Sequence, residues 1–169
     1  MPAIIRLLIV PCMKLLTTLF IALLLSGSTH AQTELEPFKK NIQRVLVYPA
    51  FLRQTCTPAF TNMLIDIDGK GKVVAVKLSD SAPALLRDEF RKVKGSFKLE
   101  LLNEFIAAKK LKNCGIIIPL FWVYGNDYCV NAVDEMLLTN NYFSFDFNLY
   151  QKLTFNLQPI ITKLYKPVR

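Results

Sequence analysis

Two carboxylates two residues apart, Asp66 and Asp68, begin the stretch DIDGKGK at residues 66–72 in the manner of a calcium-binding loop. A loop of that kind needs an oxygen ligand at its fifth position and a bidentate glutamate at its twelfth. Counted from Asp66, these positions hold Lys70 and Lys77, whose ammonium groups repel a divalent cation. Asp-Gly between two alternating apolar segments is instead typical of a β-hairpin turn. We therefore expect a hairpin at this stretch and no metal site.

The N-terminal segment 1–31, called the leader below, has the pattern of a secretory signal peptide. Lys14 precedes an apolar run at 15–25, and small and polar residues follow up to Ala31. The run is too short for a transmembrane helix, which needs about 20 residues. We expect Met13 to be the true start, cleavage to follow Ala31, and the protein to be secreted or periplasmic. The mature chain 32–169 is then a single domain without a transmembrane anchor.

Catalysis by the mature chain would have to depend on carboxylates. The one histidine of the sequence, His30, lies in the leader, which excludes histidine-dependent nucleophiles and general bases. The cysteines beyond the leader lack the spacing of a zinc site. A pair of carboxylates can hydrolyse cell-wall glycans, and the candidates in predicted loops are Asp66, Asp68, Asp80 and Asp127. Because the sequence sets no separation between any two of them, we predict no catalytic residue and no cofactor, and this hydrolase is an alternative hypothesis.

A positive net charge suggests acidic partners. Removal of the leader takes away Arg6 and Lys14 and no acidic residue, so the formal charge falls from +8 to about +6. In an exported protein this charge favours anionic glycans, lipopolysaccharide or acidic proteins over nucleic acid, and the alternative is that the charge only aids solubility. Four basic residues recur at helical spacing and would form one stripe if their helix continued through Gly95: Arg87, Arg91, Lys94 and Lys98. The stripe is a candidate site for an anionic glycan, and the alternative is an ordinary solvated helix face.

Apolar periodicity predicts a mixture of helices and strands. Helical spacing predicts helices over 34–46 and 99–108, and one between Pro83 and Gly95. Alternating apolar residues predict two strands around the Asp-Gly turn and a further strand over 116–124. Pro119 interrupts that last strand, and a proline favours an edge position in a sheet.

The extension 125–169 is also predicted to be ordered. Asn131 can begin a short helix. Beyond it, apolar residues fall on odd positions: Phe143, Phe145, Phe147, Leu149, Leu153, Phe155 and Leu157. This period of two predicts one or two strands with an aromatic face.

Three segments, taken in chain order, carry a resemblance to a known family: VYPAFLR at 47–53, FTNMLIDIDGKGKVVAVKLSDSAP at 60–83 and GIIIPLFW at 115–122. Over about residues 47–124 they resemble the C-terminal domain of the TonB energy transducer. The resemblance implies an α+β fold with a small antiparallel sheet of strand order 2-1-3, packed helices and a partly β C-terminal extension. Stand-alone secreted proteins with such domains are typical of Bacteroidetes-type bacteria.

The resemblance also implies a function based on contact. It predicts an exported, non-catalytic interaction module of the bacterial cell envelope that binds an envelope protein or peptide. In that family the last strand lies at a sheet edge and can pair with an extended peptide. The equivalent strand here is 116–122, and its candidate binding residues are Ile116, Ile118, Leu120 and Trp122.

The cysteines of the mature chain are odd in number: Cys56, Cys114 and Cys129. If 116–124 is one strand, Cys114 and Cys129 lie at its two ends, roughly 30 Å apart at about 3.3 Å per residue, which is too far for a disulfide. That leaves Cys56 as the partner of either one. In the fold that the resemblance implies, the last strand is antiparallel to the first, which places Cys129 beside Cys56. The resemblance therefore implies a Cys56–Cys129 disulfide with Cys114 free and buried.

Overall fold

The computed structural model describes residues 35–125, 129 and 142–165. The chain divides into two compact units, Met1–Glu36 and Pro37–Arg169, and the second contains the fold described below. The leader, the short helix expected after Asn131 and the candidate Asp127 all lie outside the described residues. They remain predictions.

The centre of the sheet has the predicted three-stranded arrangement. Its strands are β1 (Ala59–Ile67), β2 (Val73–Leu78) and β3 (Cys114–Tyr124). Strand β1 pairs antiparallel with both of the others, which gives the strand order β2-β1-β3. Helices accompany this sheet, so the predicted α+β class is confirmed.

A tight turn joins β1 to β2. One carboxylate oxygen of Asp68, Oδ1, accepts the backbone N–H groups of Lys70 at 2.8 Å and Lys72 at 2.9 Å. Gly71 has a φ of +80°, a conformation that a side chain would strain. The Asp-Gly stretch is therefore the predicted hairpin, and the carboxylate of Asp68 holds its turn.

Helical segments bury one face of the sheet. In chain order they are α1 (Glu36–Val45), α2 (Ala50–Gln54), α3 (Ala84–Val93), two 3₁₀ turns (Lys94–Ser96 and Leu99–Leu102) and α4 (Asn103–Ala108). Their apolar stripes supply buried side chains: Phe38, Ile42, Leu86, Phe90, Leu102, Phe105 and Ile106. Every second residue of β1 is also buried, namely Met63, Ile65 and Ile67. The main core therefore lies between this sheet face and the helices.

The helical predictions are correct in position and need correction in detail. Helix α3 ends at Val93 and passes into a 3₁₀ turn, so it does not continue through Gly95 to Lys98. The segment 99–108 begins as a 3₁₀ turn and becomes α-helical at Asn103. Helix α2 was not predicted. It begins directly after Pro49, a residue that ends one helix and can precede another.

The extension begins, within its described part, with a short hairpin of β4 (Ser144–Phe145) and β5 (Asn148–Leu149). Its turn residues, Asp146 and Phe147, both have positive φ, at 54° and 62°. Because this turn reverses the chain, residues two apart no longer share a face. Phe145 is buried, whereas Phe147 is 87% exposed. The prediction that these residues share an aromatic face is therefore wrong, whereas the predicted partly β character of the extension is confirmed.

The rest of the extension changes the position of β3 in the sheet. Strand β6 (Thr154–Asn156) pairs in parallel with residues 115–117 of β3, and β7 (Ile160–Leu164) pairs in parallel with residues 120–124. The sheet is thus mixed, and β3 is paired on both sides. The prediction that Pro119 marks an edge strand is wrong.

Pro119 is tolerated in this central strand because of a gap between β6 and β7. Gly115 donates its N–H to the Leu153 carbonyl at 2.9 Å, and Ile117 accepts from the Leu157 N–H at 2.9 Å. Backbone groups alternate in direction along a strand, so the nitrogen of Pro119 also points towards the extension. The Pro119 nitrogen faces residues 157–159, which belong to neither β6 nor β7. Because no strand pairs with β3 at this point, the missing N–H of the proline leaves no ladder hydrogen bond unmade.

The second face of the sheet is covered by the extension. Leu64 of β1, Ile117 of β3 and Phe145 form a buried cluster, and Tyr150 packs against it. The Tyr150 ring lies over Gly115, where an added Cβ would stand 2.7 Å from the Tyr150 hydroxyl. That hydroxyl donates to Asp66 Oδ1 at 3.0 Å. The extension is therefore part of the folded domain rather than an appendage.

One disulfide joins Cys56 to Cys129, with their Cα atoms 5.2 Å apart. Cys114 is free and buried. Both findings confirm the prediction that the resemblance implied. The bridge connects the segment before β1 to the segment after β3.

Substitution of Gly115 tests the packing of the extension. We expect Gly115→Ala to lower the free energy of unfolding by about 1–3 kcal/mol, because the new methyl group pushes Tyr150 away from Asp66 and from its cluster. Urea denaturation gives the value. Gly95→Ala is the matched control, since a Cβ at Gly95 meets no atom within 4 Å. Equal effects of the two substitutions would contradict this packing.

Removal of the disulfide tests the pairing. The bridge joins residues 73 apart in sequence, and a loop of that size corresponds to about 4 kcal/mol in the chain-entropy model. We expect the Cys56→Ser, Cys129→Ser double variant to lose about that much stability in a urea titration. Thiol titration of the denatured, non-reduced mature chain 32–169, which lacks Cys12, should find Cys114 alone reactive. A reactive Cys129 in the unmodified protein would contradict the pairing.

Candidate functional site

The predicted peptide-binding edge at β3 is not available. The side chains of Ile116, Ile118, Leu120 and Trp122 are buried, at 0%, 0%, 1% and 4% exposure. The opposite side of the strand backbone is occupied by β6 and β7. A partner strand therefore has no free hydrogen-bonding groups to meet at β3. These four residues belong to the core, and their assignment as binding residues is corrected.

Within the part of the chain that the structure describes, an outer edge of the sheet lies instead at β2, which pairs with β1 and with no other strand. Ser79 donates its N–H to the Asn62 carbonyl at 2.8 Å, which fixes the residues whose backbone faces β1. By alternation, Val76 and Leu78 direct their N–H and C=O groups away from β1. Among the described residues, none accepts from or donates to these outward groups. Strand β2 therefore presents unpaired backbone groups in a row.

A groove of about 460 Å³ runs along this edge. One wall is β2 along its whole length, and the other comes from α3 and the turns that follow it. Phe90 and Leu99 contribute apolar surface, and Gly95 leaves open space beside them. The groove thus combines open backbone groups with an apolar floor, the two features that strand-adding sites use.

Basic side chains line this groove: Lys77, Arg87, Arg91 and Lys94. Asp146 is the one acidic residue among the described residues that line it. Three members of the predicted stripe are therefore brought together, because α3 keeps them on the side that faces β2. Lys98 is not among the lining residues, since it follows the end of α3 and its backbone N–H donates to Asn41 Oδ1 at 2.9 Å. Lys77, which sequence reasoning did not select, takes its place.

The basic groups differ in how firmly they are held. Arg87 lies 3.9 Å from Asp80 Oδ1 and is 31% exposed. Arg91 pairs with Asp88 at 2.8 Å, and Lys77 pairs with Asp146 at 2.6 Å. Exposed pairs of this kind contribute little energy. No ion pair of Lys94 occurs within the described part of the chain, so the groove keeps an excess of positive charge.

The carboxylates proposed for hydrolysis have structural partners. Asp66 accepts from Lys152 Nζ at 2.8 Å and from Tyr150, and Asp80 Oδ2 accepts the Phe147 N–H at 2.8 Å. Asp68 holds its turn, and the hydrogen bond from the Lys72 N–H lowers the pKa of its carboxyl group. For Asp68 this direction is opposite to the raised pKa that a carboxyl group needs to donate a proton near neutral pH.

Within the described residues, no group of three His, Cys, Asp or Glu side chains could hold a metal ion. The Asp68 oxygen that would lead a calcium loop already accepts two backbone N–H groups. The turn therefore uses its carboxylate for its own backbone.

A cluster of hydrogen-bonded polar side chains connects the sheet to the extension. Ser79 Oγ lies 2.7 Å from Thr61 Oγ1 and 2.7 Å from Ser81 Oγ, and Asn62 donates to the Tyr142 carbonyl at 2.9 Å. Alternation along β1 places Asn62 on the face opposite Met63 and Ile65, and its side chain is fully buried there. No basic side chain among the described residues bonds to these hydroxyls, so this polar cluster holds the sheet and the extension together and has no base to activate a nucleophile.

Comparisons of the chain with protein-family models, with curated proteins and with solved structures find no match. No helix among the described residues is both long enough and apolar enough to span a membrane.

Calcium should not bind at the Asp68 turn. We expect the melting temperature to be unchanged by Ca²⁺ up to about 10 mM, a range that includes weak extracellular sites. Asp68→Asn keeps an oxygen acceptor for the turn and removes the charge, so it serves as the matched control. A calcium-dependent rise in melting temperature that is lost in Asp68→Asn would contradict the assignment.

Proposed function

We propose that this protein is an exported, non-catalytic interaction module of the bacterial cell envelope that binds an extended segment of a partner protein. The segment adds as a strand to the outer edge of β2. The observation that carries the proposal is the row of unpaired backbone groups at Val76 and Leu78 beside an apolar groove. Each new backbone hydrogen bond satisfies a group on both partners, and the groove receives alternate side chains.

The second outer edge of the sheet is a weaker candidate. It is formed by β6 and β7, which span three and five residues and are separated by a break. Short, interrupted edge strands are a common protection against unwanted pairing. Strand β2 offers six continuous residues and an adjoining groove. These differences support β2 as the binding edge.

Export and the family remain part of the proposal. The leader pattern of the sequence supports export, and the Cys56–Cys129 disulfide is of a kind that persists in oxidising compartments. The strand order β2-β1-β3 agrees with what a TonB-like C-terminal domain would have. The proposed binding edge differs from the one that this resemblance implies, because β6 and β7 occupy β3.

The hydrolase alternative has less support. Its three described carboxylates, Asp66, Asp68 and Asp80, are each held by hydrogen bonds within the fold. None of the three lines the groove beside β2. A glycan hydrolase needs two carboxyl groups that flank one bond, and the described lining of the groove contains one, that of Asp146.

Substitution of Val76 tests strand addition. Val76→Pro removes an outward N–H and leaves the ladder between β1 and β2 intact, as prolines on edge strands do. Val76→Thr keeps the N–H and is the matched control. Random peptides of about eight residues, displayed on phage, are selected on the unmodified protein and then measured on both variants.

We expect selected peptides to bind Val76→Thr as tightly as they bind the unmodified protein. Their affinity for Val76→Pro should be at least about tenfold lower, because one hydrogen bond between neutral backbone groups is lost. Urea denaturation checks that both variants are folded. Failure to select any peptide, or equal binding to both variants, would contradict strand addition at β2.

A further inference from the structure

We propose that the segment bound at β2 is acidic and carries carboxylates at alternate positions, which are bound by Arg87, Arg91 and Lys94. This inference rests on the proposed function, since it names the chemistry of the strand that the edge accepts. The first supporting observation is the composition of the groove, in which four cationic side chains stand against Asp146.

The spacing of the basic residues matches that of an added strand. Arg87, Arg91 and Lys94 are four and three residues apart, so they lie on one side of α3, and Lys94 still has helical φ and ψ. Four residues advance about 6 Å along a helix axis. Alternate side chains on one face of a strand are about 6.6 Å apart. Carboxylates at positions i and i+2 of the segment can therefore each meet a different cation.

The existing ion pairs do not block this binding. Asp88 and Asp146, which pair with Arg91 and Lys77, are 55% and 73% exposed. Such pairs are weak because water solvates both partners. Arg87 has further guanidinium donors beyond the one that approaches Asp80. A carboxylate that enters the groove is less solvated and has more than one donor available, so it forms the stronger interaction.

Two other occupants fit less well. A second copy of this chain, paired edge to edge at β2, would bring two sets of four cations together, which like-charge repulsion opposes. Lysines such as Lys77 on edge strands commonly prevent this pairing. An anionic glycan would match the charge, yet it would leave the Val76 N–H and the apolar floor at Phe90 and Leu99 without partners. An acidic peptide strand satisfies all three features.

The test uses three fluorescein-labelled peptides of about eight residues, built from Thr and Val. One has Glu at two alternate positions, one has the same two Glu side by side, and one has Gln at the two alternate positions. A sulfated heparin fragment is the glycan probe. Fluorescence anisotropy measures binding to the full chain and to Arg91→Glu, Lys94→Glu and Lys98→Glu. Lys98→Glu is the matched control, because it makes the same charge change outside the groove.

We expect the alternate-Glu peptide to bind at least about tenfold more tightly than the other two peptides. Arg91→Glu and Lys94→Glu should each weaken it by about tenfold or more, and Lys98→Glu by less than about twofold. Its affinity should fall as salt rises from about 50 to about 500 mM. Urea denaturation of the variants separates a lost contact from a lost fold.

Several outcomes overturn the inference. If the Gln peptide binds as tightly as the Glu peptide and Val76→Pro abolishes both, strand addition stands and the acidic preference falls. If the heparin fragment binds and the peptides do not, with loss in Arg91→Glu, the surface takes an anionic glycan and both proposals fall. If Lys98→Glu weakens binding as much as Arg91→Glu does, the acidic segment does not bind in the groove. If the protein forms a dimer that Val76→Pro dissociates, the β2 edge binds a second copy of this chain instead.

Discussion

The central constraint on this fold is that β3 must satisfy its backbone hydrogen bonds on both sides while its side chains are buried. Unpaired N–H and C=O groups in a buried strand are costly. Strand β1 satisfies one side along the whole of β3, and β6 and β7 satisfy the other. Pro119, which has no N–H, stands where β6 has ended and β7 has not begun. Strand β3 therefore depends on the extension to pair the backbone groups that β1 does not reach.

The position of the candidate site follows from this constraint. Closure of the β3 edge occupies the backbone groups that the family resemblance would select for binding, and it moves the outer edges of the described sheet to β2 and to the short strands of the extension. Helix α3 then stands beside β2 and directs Arg87 and Arg91 into the groove between them. The same extension supplies Asp146, which limits the charge of that groove. The edge of β3 is thus paired within the fold, and the edge of β2 remains available to a partner.

Local patterns predicted the elements well. The alternation around Asp68 identified the hairpin, helical spacing identified α1, α3 and α4, and the order of segments implied the pairing of Cys56 with Cys129. Each of these depends on residues close in sequence or on a known chain order. The sequence could not show that the extension runs parallel to β3, because parallel pairing joins segments far apart and leaves no local signal.

The candidate site was only partly predictable for a related reason. The helical spacing of Arg87, Arg91 and Lys94 was visible in the sequence, and the three residues do line the same groove. The exclusion of Lys98 depends on the 3₁₀ turn after Val93, and the inclusion of Lys77 depends on its position in a neighbouring strand. The burial of Asn62 also had no local signal, because its side chain donates to the carbonyl of Tyr142, which lies 80 residues further along the chain.

Amide hydrogen exchange, read residue by residue by NMR, tests the central claim most directly. The claim is that β3 is closed on both sides while the outer edge of β2 is open. The account predicts that the amides of Ile117 and Phe121, which face the extension, exchange only as the whole domain unfolds. The amide of Val76 should exchange at least about a hundredfold faster. Rapid exchange at Ile117 and Phe121, or protection of Val76 equal to theirs, would contradict the account.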